Sequence, residues 1–527
     1  MAELTERAQA VPSPASGRSS RVALPGWLVA VVPAAAAFLI SGAGLGGPSL
    51  WRDEAYTKDA ISRPLGQLFT LLNHNDAVHG AYYVLIHAVS IVIGTSDVAL
   101  RLPSLCAMTV AAGFTALVAR RAALMAQAPW PDATGLTAGL LFAVLPYTTY
   151  YAQMARSYAF VTMFATIASY LLLRALVACG PRCRWWWAGY GLAVALTGLF
   201  NSFGLLILVA HFVTMLIADR PRRGWLIAGA AGVLVLIPVL MVSYRQRGQI
   251  GWMTKPHFST VVALVKDFAG SKALVLPIAL LALGGVAAAF LGGDPVGGGT
   301  TGPGPLRRMT PAAIALPWLV LPPVILLAGS EIKPAYSPRY VEFCLPALAI
   351  LVAAGMTGLV RVLAGTPLGR QGAWAAAGLV VVVLAVLLIS PQHAIRQTSA
   401  RPDNLRGASA IVAANEQPGD AVFYIPGSDM RVLGTGYPAP FSKLRDLALA
   451  VAAGPSGTLA GREISSPAEL ASRFTDVKRV WVVSGNNTYK FPVPSTAMDK
   501  KKLALLSGMH ILHRWMAGEV MLTLYGY

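Results

Sequence analysis

Eleven apolar runs, most of them close to twenty residues long, occupy this chain between residues 27 and 391. A helix needs about 20 apolar residues to cross the hydrocarbon of a bilayer. Inside that hydrocarbon each backbone N–H and C=O must be paired within its own segment, which makes the helix the form these runs adopt. Charge content agrees: 12% of the 527 residues are charged, against roughly 25% in a soluble globular protein. The expected fold is an α-helical polytopic membrane protein of about 11 transmembrane helices.

The runs fall at about 27–46, 103–119, 134–151, 158–177, 187–201, 203–218, 224–243, 273–292, 310–329, 340–360 and 372–391. A further stretch, 79–93, is shorter and holds His79 and His87, so it reads as an interfacial helix. Arginine pairs such as Arg120-Arg121 and Arg222-Arg223 sit directly against apolar runs. Under the positive-inside rule they place the N-terminus in the cytoplasm, and an odd number of crossings then puts the C-terminus outside. Residues 1–24 read as a disordered cytoplasmic tail. Residues 25–391 read as the transmembrane domain, with outer-loop interfacial helices within 48–100. The Gly/Pro-rich 293–306 stretch reads as an inner linker.

After residue 392 the pattern changes. GASAIVAANEQ reads as a helix, DAVFYIP as a buried strand, and SPAELASRF as a helix opened by Ser466 with Glu469 three residues on. RVWVVSG and EVMLTLYGY read as further strands. Alternating strands and helices predict a small extracytoplasmic α/β domain over 392–527. Asn486-Asn487-Thr488 matches a glycosylation acceptor. Cys106, Cys179, Cys183 and Cys344 lie in or beside runs, two of them on the reducing side, so no structural disulfide is expected. The net charge of +19 is spread along the chain; that argues for membrane lipids and phosphate as counterparts and against a nucleic-acid partner.

Ionisable groups at membrane depth mark functional candidates. On the inner side they are nearly all arginines that topology explains. On the outer side they are mixed: Asp53 and Glu54 in SLWRDEAYTKDA, His74, Asp76, His79 and His87 over 73–87, Arg156 in YAQMARSYAF, and Arg339 in EIKPAYSPRYVEF. Each alone fits a helix start or a headgroup anchor; their convergence on one face does not. A carboxylate can take a proton from an acceptor hydroxyl, and arginines grip a phosphate through paired hydrogen bonds. Together they suit glycosyl transfer from a lipid phosphate. A transporter or lipid-carrier flippase is the alternative, with Pro-rich runs such as LPWLVLPPVILL as broken helices.

Five pieces in order, WRDEAYT (51–57), HGAYYVLIH (79–87), SDVALRLPS (96–104), QMARSYAF (153–160) and SPRYVEF (337–343), resemble the glycosyltransferase-C superfamily. More narrowly they are similar to bacterial, family-39-type relatives of the protein O-mannosyltransferases and of the lipid A aminoarabinose transferase. The Ala/Val/Arg/Gly-rich usage resembles that of high-GC actinobacterial proteins. The resemblance implies a polyprenyl-phosphate sugar donor, mannose first, and a glycan, lipid or protein acceptor. It implies Asp53 as base, supported by Glu54, and inversion at the sugar carbon. Arg156 and Arg339 would grip the donor phosphate with Tyr158, Tyr340 and His79 beside them, while Arg101 ties the interfacial helices to the second span. The outer loop 243–256 would add donor or acceptor contacts through Gln249 and Trp252. No metal is expected to be required.

Overall fold

The computed structural model describes residues 25–178, 180–251, 253–291, 309–485 and 492–527. The 1–24 tail, Cys179, Trp252, the 293–306 linker and the Asn486-Asn487-Thr488 acceptor lie outside the described residues.

Helices occupy the apolar runs, yet six among the described residues are long and apolar enough to cross a membrane, or seven if one bent pair counts as a single span. The six are Asp97–Met125, Tyr158–Ala175, Lys272–Phe290, Pro311–Ile332, Glu342–Ala364 and Gly369–Ala394. The expected eleven are not all met, for local reasons. The run 134–151 is two helices, Pro131–Val144 and Pro146–Ala152. Proline disfavours a helical conformation in the residue before it, and Leu145 is extended. The run 224–243 bends by 50° between Arg223–Leu234 and Ile237–Arg245. Gly26–Gly42 and Ser202–Ala218 are shorter apolar helices. By contrast LPWLVLPPVILL does not break, because its three internal prolines lie within one helix, Pro311–Ile332.

The bundle closes around Leu345–Ala364, which packs against helices 272–291, 131–144, 311–332 and 369–394. Its contact with 272–291 is backbone on backbone: a Cβ added at Gly355 would lie 1.8 Å from the Leu281 carbonyl oxygen. Small residues permit such approach between membrane helices. Helices 272–291 and 369–394 leave most of their apolar surface outward, with Leu283, Leu379 and Val386 exposed. Between the first helix and Asp97 the chain forms three short helices, Arg52–Ile61, Leu65–His74 and Gly80–Ile93.

The C-terminal part is built on seven strands: β1 (Ala421–Ile425), β2 (Arg445–Asp446), β3 (Leu449–Val451), β4 (Arg462–Glu463), β5 (Arg479–Gly485), β6 (His510–Ala517) and β7 (Val520–Gly526). Five make one sheet in the order β2-β1-β5-β7-β6, with β1 parallel to β2 and β5, and β7 antiparallel to β5 and β6. Helices Leu405–Asn415 and Pro467–Phe474 fall where expected, and the Ser466 side chain accepts the Glu469 N–H at 3.3 Å. Phe423, Leu470, Phe474 and Val482 form its core. The domain rests on the short outer helices: Arg63 donates to the Thr458 carbonyl at 2.7 Å and Lys58 to that of Gly436 at 2.8 Å.

Candidate active site

Successive helix positions are about 100° apart, so the adjacent acids of Arg52–Ile61 face different surroundings. Glu54 points inward and is fully buried. Arg101, also fully buried, donates Nε to Glu54 Oε1 at 2.9 Å and Nη2 to Oε2 at 2.8 Å. The Ala155 N–H adds a third bond to Glu54 Oε1 at 2.8 Å. Arg101 also donates to the carbonyls of Leu45, Pro48 and Ser49 at 2.8–3.0 Å. This fork clamps the outer helix to the 97–125 helix and to the turn before Arg156. The Glu54 carboxylate is therefore enclosed by protein donors.

Asp53 points the other way, and its side chain keeps 18% exposure. Its carboxylate pairs with Arg339, which arrives from the short turn Pro338–Tyr340. The Asp53 carbonyl accepts from Arg156 Nη1 at 3.3 Å, and the same nitrogen donates to the Tyr83 hydroxyl at 2.9 Å. Tyr83 in turn donates to the Asp76 carboxylate at 2.7 Å. Arg339 thus meets the Asp53 carboxylate and Arg156 its backbone carbonyl. Burial opposes their charge, but neighbours outweigh it: Tyr158 and Asp53 hold Arg339 above its ordinary pKa, and Tyr83 and Asp53 do so for Arg156.

Aromatic rings wall the site. The Arg339 guanidinium carbon lies 5.9 Å from the centre of the Trp51 ring and 5.8 Å from that of Tyr340. Tyr340 stacks on Phe203 at 4.7 Å and lies 6.4 Å from Tyr158. His79 is buried, with Nδ1 3.0 Å from the Ser157 hydroxyl. Burial first, then the charges of Arg156 and Arg339, hold its pKa well below the ordinary value. The ring packs behind Tyr158, 6.0 Å from that ring.

Two cavities flank this centre. One, of about 730 Å³, is lined by Trp51, Tyr147, Tyr150, Tyr151, Lys266, Asp267, Ser337 and Arg339 among others. The other, of about 610 Å³, is lined by Arg245, Gln246, Arg247, Gln249, Ser202 and Tyr340 together with Ile237, Leu240 and Met241. The loop bearing Gln249 is pinned to the outer helices: Gln246 accepts the Ala77 N–H at 2.9 Å and Gln249 that of Asp76 at 3.3 Å. Sequence reasoning missed Tyr83, whose only signal was its place inside HGAYYVLIH. It also missed Glu342 of SPRYVEF, buried and accepting from Thr162 at 2.7 Å.

No family model matches the chain, and no curated protein matches it by sequence. Solved structures do. The crystal structure of ArnT from Cupriavidus metallidurans in the apo state superposes with a TM-score of 0.61 at 13% identity, covering 95% of this chain and 98% of that one. The same protein bound to undecaprenyl phosphate gives 0.58 at 14%, with the same coverage. The likeness is one of fold, and it extends along nearly the whole chain.

Proposed function

We propose that this chain is an integral-membrane glycosyltransferase that moves a sugar, mannose first, from a polyprenyl-phosphate donor to an acceptor hydroxyl outside the cell. The observation that carries this reading is the partly exposed Asp53 carboxylate, paired with Arg339 and backed by Arg156, at a centre flanked by two chemically different cavities. The cavity with Arg245, Arg247 and aliphatic side chains suits the lipid carrier; the one with Arg339, Trp51 and three tyrosines suits the sugar phosphate and the acceptor.

Among the described residues nothing accepts from the buried Nε–H groups of Arg156 and Arg339, a costly state that an anionic group relieves. ArnT carries undecaprenyl phosphate in one of the matching structures, and a polyprenyl phosphate is the donor carrier we propose here. In the reaction Asp53 takes the acceptor proton and the acceptor oxygen forms the new bond to the sugar carbon. The carbon–oxygen bond to phosphate breaks, its electron pair leaving with the phosphate under the arginine charges. Attack opposite the leaving group inverts the sugar carbon. Glu54 holds the frame. The outer loops, the C-terminal domain and this centre share the extracytoplasmic side, with the N-terminus inside.

The test is incubation of purified protein with radiolabelled polyprenyl-phosphate mannose and a membrane extract. Wild type is expected to move label to an extract component. Asp53→Asn should lower the rate by about 10²–10⁴-fold, the usual contribution of a positioned base, and near-normal transfer by that variant would refute the base assignment.

A further inference from the structure

The helix carrying Asp53 begins badly by its own sequence. Trp51, in the capping position, offers no side-chain acceptor to the first turn, whereas good caps supply an oxygen. The oxygen comes instead from residue 403: Asp403 Oδ2 accepts the Arg52 N–H at 3.0 Å, and Oδ1 lies 3.5 Å from the Arg52 guanidinium. A carboxylate there also meets the positive end of the helix dipole. Two residues earlier, Arg401 Nη2 donates to the carbonyls of Tyr150 and Gln153 at 3.0 and 2.8 Å, with its guanidinium 3.9 Å from the centre of the Tyr150 ring. Those carbonyls lie in the turn that leads to Arg156. Arg401 and Asp403 are both 2% exposed.

This strap is itself fixed by the C-terminal sheet. Asn404 N–H donates to the Ala517 carbonyl at 3.2 Å and Glu519 N–H to that of Pro402 at 2.8 Å, which seats it on the β6–β7 turn. Gly518 sits at that turn with φ +63°, and a Cβ there would lie 2.4 Å from the Pro402 carbonyl oxygen. The turn thus requires glycine twice over, for conformation and for approach.

We propose that Arg401 and Asp403 are positioning residues that set the Asp53 side of the active centre against the Arg156 side, so that the C-terminal domain, through its β6–β7 turn, is part of the catalytic frame. The idea rests on the transferase reading for its kinetic consequence and on geometry alone for its structural one. An Asp53 carboxylate displaced by even 1 Å loses rate out of proportion to binding.

Two readouts on the full-length protein separate these parts. In the first, deuterium uptake by the peptide covering residues 49–57 is compared among wild type, Asp403→Asn and Gly518→Ala. Uptake is expected to rise several-fold in both variants while the Leu345–Ala364 helix stays protected. In the second, transfer from polyprenyl-phosphate mannose is measured. The kcat is expected to fall about tenfold or more with the donor KM within about twofold, and Asp403→Glu to recover part of the loss. Unchanged uptake at 49–57 in both variants overturns the proposal, as does a loss of protection spread evenly over the bundle. If wild type moves no sugar from this donor, the transferase reading fails while the exchange experiment still decides the positioning.

Discussion

Replacing Glu54 by alanine tests whether the inward acid is a structural clamp. The change leaves Arg101 charged and fully buried without its counter-ion and deprives the Ala155 N–H of its acceptor. Removing one partner of a buried pair costs about 3–5 kcal/mol, a large share of the 5–15 kcal/mol that holds a typical domain folded. The guanidinium keeps its bonds to Leu45, Pro48 and Ser49, which places the expected loss toward the lower end, about 3 kcal/mol. Changing Arg101→Met as well removes the stranded charge, so the double variant should be less destabilised than Glu54→Ala alone. The singles should then fail to add by about 2–3 kcal/mol. Reversible unfolding in mixed detergent micelles, followed by the fluorescence of the 12 tryptophans, measures all four corners of the cycle. A Glu54→Ala midpoint within about 1 kcal/mol of wild type, or additive singles, would show that the fork does not carry this load.

Two further outcomes concern residues packed around Asp53. Arg339→Lys keeps the charge but loses the planar fork; donor KM should rise about tenfold, and an unchanged KM would mean that the phosphate is held as a point charge. His79 has a folded pKa well below its ordinary value, so the unfolded chain binds the proton more readily. Its neutral form stabilises the fold fully above about pH 6.5, and that stability is lost as pH falls below it. Between pH 7.5 and 5, wild type should therefore lose more thermal stability than His79→Gln; equal losses would mean that the ring is not neutral.

The parts of the fold legible in the sequence were those written in local periodicity. Hydropathy located the helices, and short apolar runs located β1, β5 and β7, which are buried. It missed β6, because that strand lies at the sheet edge with most of its side chains exposed, so no continuous apolar run marks it. It merged 131–144 with 146–152, because an average over twenty residues does not register the one extended residue that Pro146 imposes.

The site divides along the same line. That these acids and arginines belong together was readable from their places beside the apolar runs. Which of the two adjacent acids is buried was not, since nothing within WRDEAYT separates them. The separation is made by Arg101, 47 residues onward, which draws Glu54 into the bundle and by helix geometry turns Asp53 out toward Arg339. The first turn of that helix depends on Asp403, 351 residues away, in a stretch to which the sequence assigned no helix or strand. An acid held at both ends by distant partners, one charge drawing its neighbour inward and another capping its helix, can stay partly exposed without its backbone moving. That combination asks for contacts across the whole chain, which is why the acidic pair was visible in the local sequence and the contacts that separate its members were not.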